Sequence, residues 1–353
     1  MRHWPIVAPL FGVVLLGAAA FLPPHPVLLI VLCAALVGAV LAAVHHAEVV
    51  AHRLGEPLGT LVLALAVTVI EAGLILALML SGGPATAPLA RDTVYAAVMI
   101  ICNGVVGLCV LVGGLRHREQ AFRVEGASPA LEALVALATL TLVLPSFTRS
   151  APGAAYSPSQ LVFAAVCSLA LWGVFVFAQT VRHRDYFLPV GGGEDTHAAP
   201  PSNRTALVSA GLLLVALVAI VGLAKALTPT LELGVERLSL PRAVVGIVIA
   251  ALVLLPEGLA ALRAARSNRL QTSLNLALGS ALATTGLTIP AVAVVAILLG
   301  QPLELGLAPK EEVLLSLTLL VSVITLGTGR TTVLQGIVHL LIFAVFLFFA
   351  MLP

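Results

Sequence analysis

Charge is what this sequence has least of. Asp, Glu, Lys and Arg together make up 10% of its 353 residues, where about 25% is usual in a soluble domain. With hydrophobic residues at 60%, this excludes an ordinary soluble domain and a disordered chain. Cysteine is sparse as well. The four present, Cys33, Cys102, Cys109 and Cys167, lie inside apolar runs without CxxC spacing. That argues against a zinc site or a disulfide framework and for buried free thiols. No long basic run or aromatic-basic interleaving occurs, and the net charge is only +2, so nucleic acid is not an expected partner. Period-2 alternation, the mark of a membrane barrel strand, is missing too.

What remains is a chain that is apolar from end to end. A bilayer crossing needs about 20 apolar residues. Apolar runs between charged or Pro/Gly-rich breaks predict eleven spans, near residues 5–22, 27–46, 58–80, 93–115, 129–146, 160–181, 206–227, 241–264, 272–299, 311–328 and 332–352. Since the backbone must satisfy itself in lipid, these are expected to be helices. The expected fold class is therefore an all-α polytopic membrane protein. The first run, with Arg2 ahead of it and Ala18 to Ala20 behind it, also fits a cleaved signal peptide. A retained helix is the preferred reading, because ten further spans follow and no exported soluble domain does.

The basic residues orient the spans. Twelve Arg residues fall at the N-terminus and in the loops after even-numbered spans, against six Lys or Arg on the other side. The positive-inside rule then predicts a cytoplasmic N-terminus and an external C-terminus in a bacterial-type inner membrane. The longest loop, RHRDYFLPVGGGEDTHAAPPSNRT, reads as a flexible cytoplasmic linker. It separates spans 2–6 from spans 7–11, leaving span 1 over. Five is odd, so the two halves are expected in opposite orientations, the layout of an inverted-repeat transporter. The expected division is an extra helix over 1–24, a first five-helix repeat over 25–182, a linker over 183–205 and a second repeat over 206–353.

A charged side chain at the bilayer centre costs roughly 2.5–3.5 kcal/mol or more, so such residues are seldom idle. Two of the sixteen acidic residues lie well inside spans. Glu71 sits in LVLALAVTVIEAGLILALML and Glu257 in AVVGIVIAALVLLPEGLAAL. They occupy the second span of each half. The next spans also correspond, with Asn103, Gly104 and Gly107 in one and Gly279, Ser280, Thr284, Thr285 and Gly286 in the other. Small residues admit close helix approach, and hydroxyl and amide oxygens can ligate a hard cation. Thr68 precedes Glu71 by one helical turn. Pro256, directly before Glu257, should remove one helical hydrogen bond and push on the Leu252 carbonyl. Span 9 carries Pro290.

These segments resemble the two alpha-repeats of the calcium/cation antiporter superfamily, and within it the bacterial ChaA-type calcium (sodium/potassium)–proton antiporters. The resemblance rests on GEPLGTLVLALAVTVIE (55–71), ARDTVYAAVMIICNGVVGL (90–108), HRDYFL (183–188) and LLPEGLAALRAARSNRLQTSLNLALGSALATTGLTIPAV (254–292). It implies ten core helices, alternating access and a central cation site using Glu71 and Glu257. Many such exchangers carry a Gly-Asn pair just ahead of each acid. Here those positions hold Val67–Thr68 and Val253–Leu254, so fewer oxygens are offered, which suits Ca²⁺ less well.

The functional expectation is an antiporter in which one cation and protons compete for Glu71 and Glu257. Asn103, Ser280, Thr68 and Thr284 are expected to line the site. Ca²⁺ is the first choice of cation and Na⁺ or K⁺ the second. Lipid, inorganic cations and protons are the only expected partners, and no cofactor is expected. A proton-independent exchanger of the same superfamily is the alternative. A channel is less favoured. An enzyme has little support, since HExxH and GxSxG are absent and the paired acids are Glu. His45 and His46 are read as interfacial residues closing span 2, and His339 as either structural or part of a proton relay. Glu132 is placed near a span end. Glu48, Glu56, Glu232, Glu236, Glu304, Glu311 and Glu312 are read as loop acids that draw cations to the two faces, or simply as solvated ones. His183 and His197 are weighed as pH sensors.

Overall fold

The computed structural model describes residues 3–19, 21, 25–55, 58–82, 86–188, 201–237 and 240–352. Among the described residues, eleven helical rods follow one another: α1 (Trp4–Ala19), α2 (Pro26–Leu54), α3 (Leu58–Gly82), α4 (Leu89–His117), α5 (Val124–Phe147), α6 (Pro158–Arg182), α7 (Asn203–Arg237), α8 (Ala243–Arg266), α9 (Leu270–Leu299), α10 (Pro309–Leu326) and α11 (Val333–Met351). Nine of them are long and apolar enough to cross a bilayer. Helix α1 is shorter, and α10 opens with Lys310, Glu311 and Glu312. The chain is a multi-pass membrane protein, and each expected span corresponds to one rod.

The rods start where the chain signals a start. Pro26, Pro158 and Pro309 stand in the first turn of α2, α6 and α10, where the missing N–H costs nothing. Ser157 and Gln160 form a reciprocal capping box ahead of α6, as Thr332 and Gln335 do ahead of α11. Gly300 ends α9 in the left-handed region at φ 62°, which only glycine enters freely.

The rods are not uniformly α-helical. Four contain a π-helical stretch: Ile100–Val105 in α4, Thr139–Val143 in α5, Ala178–Arg182 in α6 and Thr284–Thr288 in α9. Each π turn adds a residue without breaking the rod, and such turns gather at functional sites. Those in α4 and α9 coincide with the Asn103–Gly104 and Thr284–Gly286 segments.

The chain divides into two units. The first holds α1, α2, α3 and α7; the second holds α4, α5, α6 and α8 to α11. Each unit thus draws on both halves of the sequence. In the first unit, α1 packs on α2 and α7, with Gly12 against Ala219 and Gly222 against Leu16. His46, only 3% exposed, ties α1 to α2: its Nε2–H donates to the Pro5 carbonyl at 2.9 Å. That carbonyl is four residues before Pro9, which lies inside α1 and has no N–H to give it. His46 supplies the missing donor. It is therefore a core residue, not an interfacial one, and α2 continues beyond it to Leu54.

The second unit shows which loops share an end. Gln120–Ala121 pairs antiparallel with Arg330–Thr331. Gln120 Nε2 donates to the Ala265 carbonyl at 2.9 Å, His117 Nε2 to that of Arg266 at 3.0 Å, and an Arg123 guanidinium N–H to that of Asp185 at 2.6 Å. The loops after α4, α6, α8 and α10 therefore meet at one end. At the other, the amides of Glu304, Leu305 and Gly306 donate to the carbonyls of Ala87 and Ala154, and Arg91 donates to the Gly306 carbonyl. The loops there follow α3, α5 and α9. This alternation is what an even-odd reading of the spans requires, and the Arg-rich loops fall at the first end. Tyr156 also reaches back from the second end, its hydroxyl donating to the Leu140 carbonyl at 2.6 Å. Burial pushes that phenol up to about 12.

Two expectations need correction. Glu132 is more than two turns inside α5 and exposed, because α5 begins earlier than its apolar run. Cys33 is exposed and Cys167 half-buried, while Cys102 and Cys109 are buried; all four are free. An apolar thiol facing lipid carries little penalty. Pro256 stands within α8, which runs unbroken from Ala243 to Arg266. Glu56 and His197 lie outside the described residues, as do the side chains of Glu232 and Glu236.

Replacing His46 by Phe should lower stability by about 1–3 kcal/mol, since the Pro5 carbonyl loses its donor. Adding Pro9→Ala should recover much of that loss by restoring the helical N–H. Thermal unfolding of the three variants in detergent checks both steps, and no recovery in the double variant would contradict the pairing.

Candidate cation site

Glu71 sits near the middle of α3 and is 2% exposed. Its helix is flanked by α2 and α7 in the first unit. Gly73 is so close to α7 that a Cβ there would approach the Val221 side chain to 3.0 Å. Thr68, one turn before Glu71, is also buried. Its hydroxyl donates to the Ala64 carbonyl at 2.8 Å. That bond commits the hydrogen and leaves the oxygen lone pairs as acceptors, the form in which a hydroxyl ligates a cation.

The other predicted residues belong to the second unit. Glu257 is half-buried on α8. Gly246, earlier on the same helix, is set against the backbone of Asp92 and Thr93 on α4, where a Cβ would come within 2.9 Å. Gly258 faces Val105 at 3.3 Å by the same measure. These two glycines bring the turn carrying Glu257 onto the π-helical stretch of α4. Asn103 lies in that stretch and is fully buried. Helix α9 packs on both α8 and the α4 stretch. Ser280 is half-buried on α9, with its Oγ enclosed and no hydrogen-bond partner among the described residues. Thr284, buried, opens the π-helical stretch of α9. Thr285 donates to the Ala281 carbonyl at 2.9 Å.

The second unit therefore brings the helices of Glu257, Asn103, Ser280 and Thr284 together. Glu71 and Thr68 are held in the first unit. Among the described residues, no cluster of three or more His, Cys, Asp or Glu side chains forms a resident metal site. Glu71 and Glu257 each sit in an apolar helix. Such an acid takes up a proton or a cation, because an uncompensated carboxylate in low dielectric is unfavourable.

Two features were not legible in the sequence. One is the π-helical geometry of α4 and α9. The other is the packing of α11 along α4. A Cβ on Gly107 would come within 2.9 Å of His339 Cβ, one on Gly114 within 2.9 Å of the Val333 amide, and one on Gly336 within 2.8 Å of Leu111 Cα. The glycines form a seam that sets the register of the two helices. Among the acids weighed as cation attractors, Glu311 caps α10 by accepting from the Ala308 amide at 3.1 Å. His183 stacks on Tyr186 with ring centroids 5.1 Å apart.

Comparison with known proteins places this architecture. The family model described as sodium/calcium exchanger protein matches residues 24–181 and 208–352. The chain belongs to that family. It is 51% identical to the y4hA protein of Sinorhizobium fredii, over 99% of this chain and 96% of the relative. It is 37% identical to the sodium-potassium/proton antiporter ChaA of Escherichia coli, over 98% of this chain and 95% of the relative. The solved structure of native YfkE superposes with a TM-score of 0.76 at 18% identity, covering 99% of this chain and all of that one. The expected superfamily and polytopic helical fold both hold.

Gly336→Ala should cost about 1–3 kcal/mol, because its methyl group meets backbone that cannot yield without parting α4 from α11. Gly279→Ala, with nothing within 4 Å of the added carbon, should leave the melting temperature unchanged. Equal stability of the two variants would show that the seam is not tight.

Proposed function

We propose that the protein exchanges a cation for protons across the cytoplasmic membrane by alternating access, with Glu71 and Glu257 as the shared cation and proton carriers. The observation that carries this reading is an enclosed mid-span acid in each half of a largely apolar chain, Glu71 only 2% exposed and Glu257 half-buried, where Glu132 is exposed. A carboxylate held there is stabilised either by a proton or by a bound cation. The two ligands therefore compete. If the doubly charged empty site does not cross, cation movement one way obliges proton movement the other. Asn103, Ser280, Thr68 and Thr284 supply neutral oxygens around the acids. The enclosed, unpartnered Ser280 hydroxyl supports a ligand at that point, since buried polar atoms are normally paired.

Ca²⁺ is the cation to test first, because two carboxylates balance one divalent ion against two protons. Na⁺ or K⁺ is the second reading. It is favoured by the missing Gly-Asn pairs and by the 37% identity to the sodium-potassium/proton antiporter ChaA. The proton gradient would drive export, and the N-terminus would be cytoplasmic with the C-terminus outside. The extra N-terminal helix and two inverted repeats of five complete the proposed organisation, with the 183–205 segment as a cytoplasmic linker.

The test uses purified protein in proteoliposomes with an acidic lumen and a luminal pH dye. Addition of Ca²⁺, Na⁺, K⁺ or Mg²⁺ to the outside should alkalinise the lumen for the transported ion. Glu71→Gln and Glu257→Gln should each reduce that response at least about 100-fold, as loss of an essential proton carrier does, without loss of inserted protein. Full activity in either variant would falsify the paired-acid mechanism. Cation flux that does not depend on the pH gradient would favour the proton-independent exchanger.

A further inference from the structure

Three helices of the second unit meet on a chain of buried polar groups that the two acids do not account for. Asn103 of α4, Thr318 and Thr325 of α10 and His339 of α11 are all buried. Asn103 Nδ2 donates to Thr318 Oγ1 at 2.9 Å. Thr318 spends its own hydrogen on the Leu314 carbonyl at 2.8 Å, so towards Asn103 it can only accept. This fixes the amide: its NH₂ group faces α10 and its oxygen faces α11. The oxygen, Oδ1, lies 3.3 Å from His339 Nδ1. A carbonyl oxygen only accepts, so Nδ1 carries the hydrogen. On the far side of the ring, Nε2 lies 3.1 Å from Thr325 Oγ1.

Nothing about this contact is incidental to the packing. Gly336 is one turn before His339 and Gly107 one turn after Asn103. The close approach at those glycines sets the backbone that carries His339 against α4. The amide it holds sits in the π-helical stretch of α4, where the helix is least able to fix a side chain by regular geometry alone.

We propose that His339 is a positioning residue for transport: its Nδ1–H holds the Asn103 amide oxygen in a fixed direction, which leaves that oxygen's second lone pair to be offered to the cation. This rests on the reading of Asn103 as a lining residue of the cation site. His339 itself does not touch the cation. Its loss should weaken cation recognition and spare the conformational cycle.

The test measures exchange in proteoliposomes as a function of cation concentration for three variants. His339→Leu removes the donor and should raise the KM for the transported cation about tenfold, the equivalent of one buried hydrogen bond, with maximal rate changed less than about twofold. His339→Asn places an amide N–H where Nδ1 stood and should restore KM to within about threefold of wild type. His339→Gln reaches instead toward Thr325 and should not restore it. A His339→Asn variant as impaired as His339→Leu, or a His339→Leu variant with unchanged KM, would overturn the proposal. Nitrogen-15 NMR of histidine-labelled wild-type protein in lipid, with the His339 signal assigned by its loss in His339→Asn, gives a readout independent of transport. A protonated Nδ1 is expected, and a bare Nδ1 would overturn the assignment whatever the transport rates of the variants. Wild-type protein that exchanges no cation would overturn the function proposed for Glu71 and Glu257 and the role of His339 with it. That outcome is distinct from failure at His339 alone, in which wild type and His339→Leu exchange equally well.

Discussion

No backbone carbonyl can be left without a partner in the hydrocarbon of a bilayer, and much of this structure follows from that constraint. Apolar sequence alone gives helices, which satisfy themselves. Proline and the π turns then release carbonyls, and specific side chains answer them. Pro9 frees the Pro5 carbonyl, and His46 takes it. In α5, a π turn runs into Pro145; the Leu140 carbonyl is met by Tyr156 and that of Leu142 by the Leu307 amide. Many intramembrane hydroxyls are similarly spent on the carbonyl four residues back, as at Thr68, Thr285 and Thr318. Helix formation does not explain the two mid-span acids, nor the enclosed hydroxyls of Ser280 and Ser322, which have no hydrogen-bond partner among the described residues.

On the proposed reading, the two acids belong to a system whose energetics turn on exchange. A carboxylate in low dielectric, a proton and a cation form a three-way balance in which removal of one ligand favours arrival of the other. The protein does not need a strong site for this. It needs two carriers that are costly to leave empty. Glu71 in α3 and Glu257 in α8 belong to different structural units, each assembled from both halves of the chain. The structural division therefore does not follow the order of the chain.

The spans and the acids were legible because both are one-dimensional signals. Each of the eleven runs became a rod, and Glu71 and Glu257 are conspicuous because a charge in an apolar run is expensive. Helix ends were less legible. Helix α2 continues past its apolar core to Leu54 and α7 to Arg237, since hydropathy marks the part in lipid and a helix does not stop at the interface. Glu132 was misplaced for the same reason at the start of α5. The π turns have the composition of their neighbours and leave no trace in hydropathy. In the sequence His46 stood beside His45 at a span end and His339 lay alone in an apolar span, and neither pattern named a partner. Only the tertiary contacts separate them, one meeting a carbonyl freed by proline and the other a side-chain amide fixed by Thr318. The glycines at 104, 107, 114 and 336 were visible, but that they line the contact between α4 and α11 was not.

That glycine seam has a mechanical consequence. Two helices touching backbone to backbone share no compressible layer of side chains between them. Displacement of α4 at the level of Asn103 is therefore handed to α11 undiminished, and with it to the short strand pair that joins the loops preceding and following these helices. The last helix of the chain then behaves less as a bystander in the lipid than as a splint, stiffening a helix that its own π turn would otherwise leave free to bend.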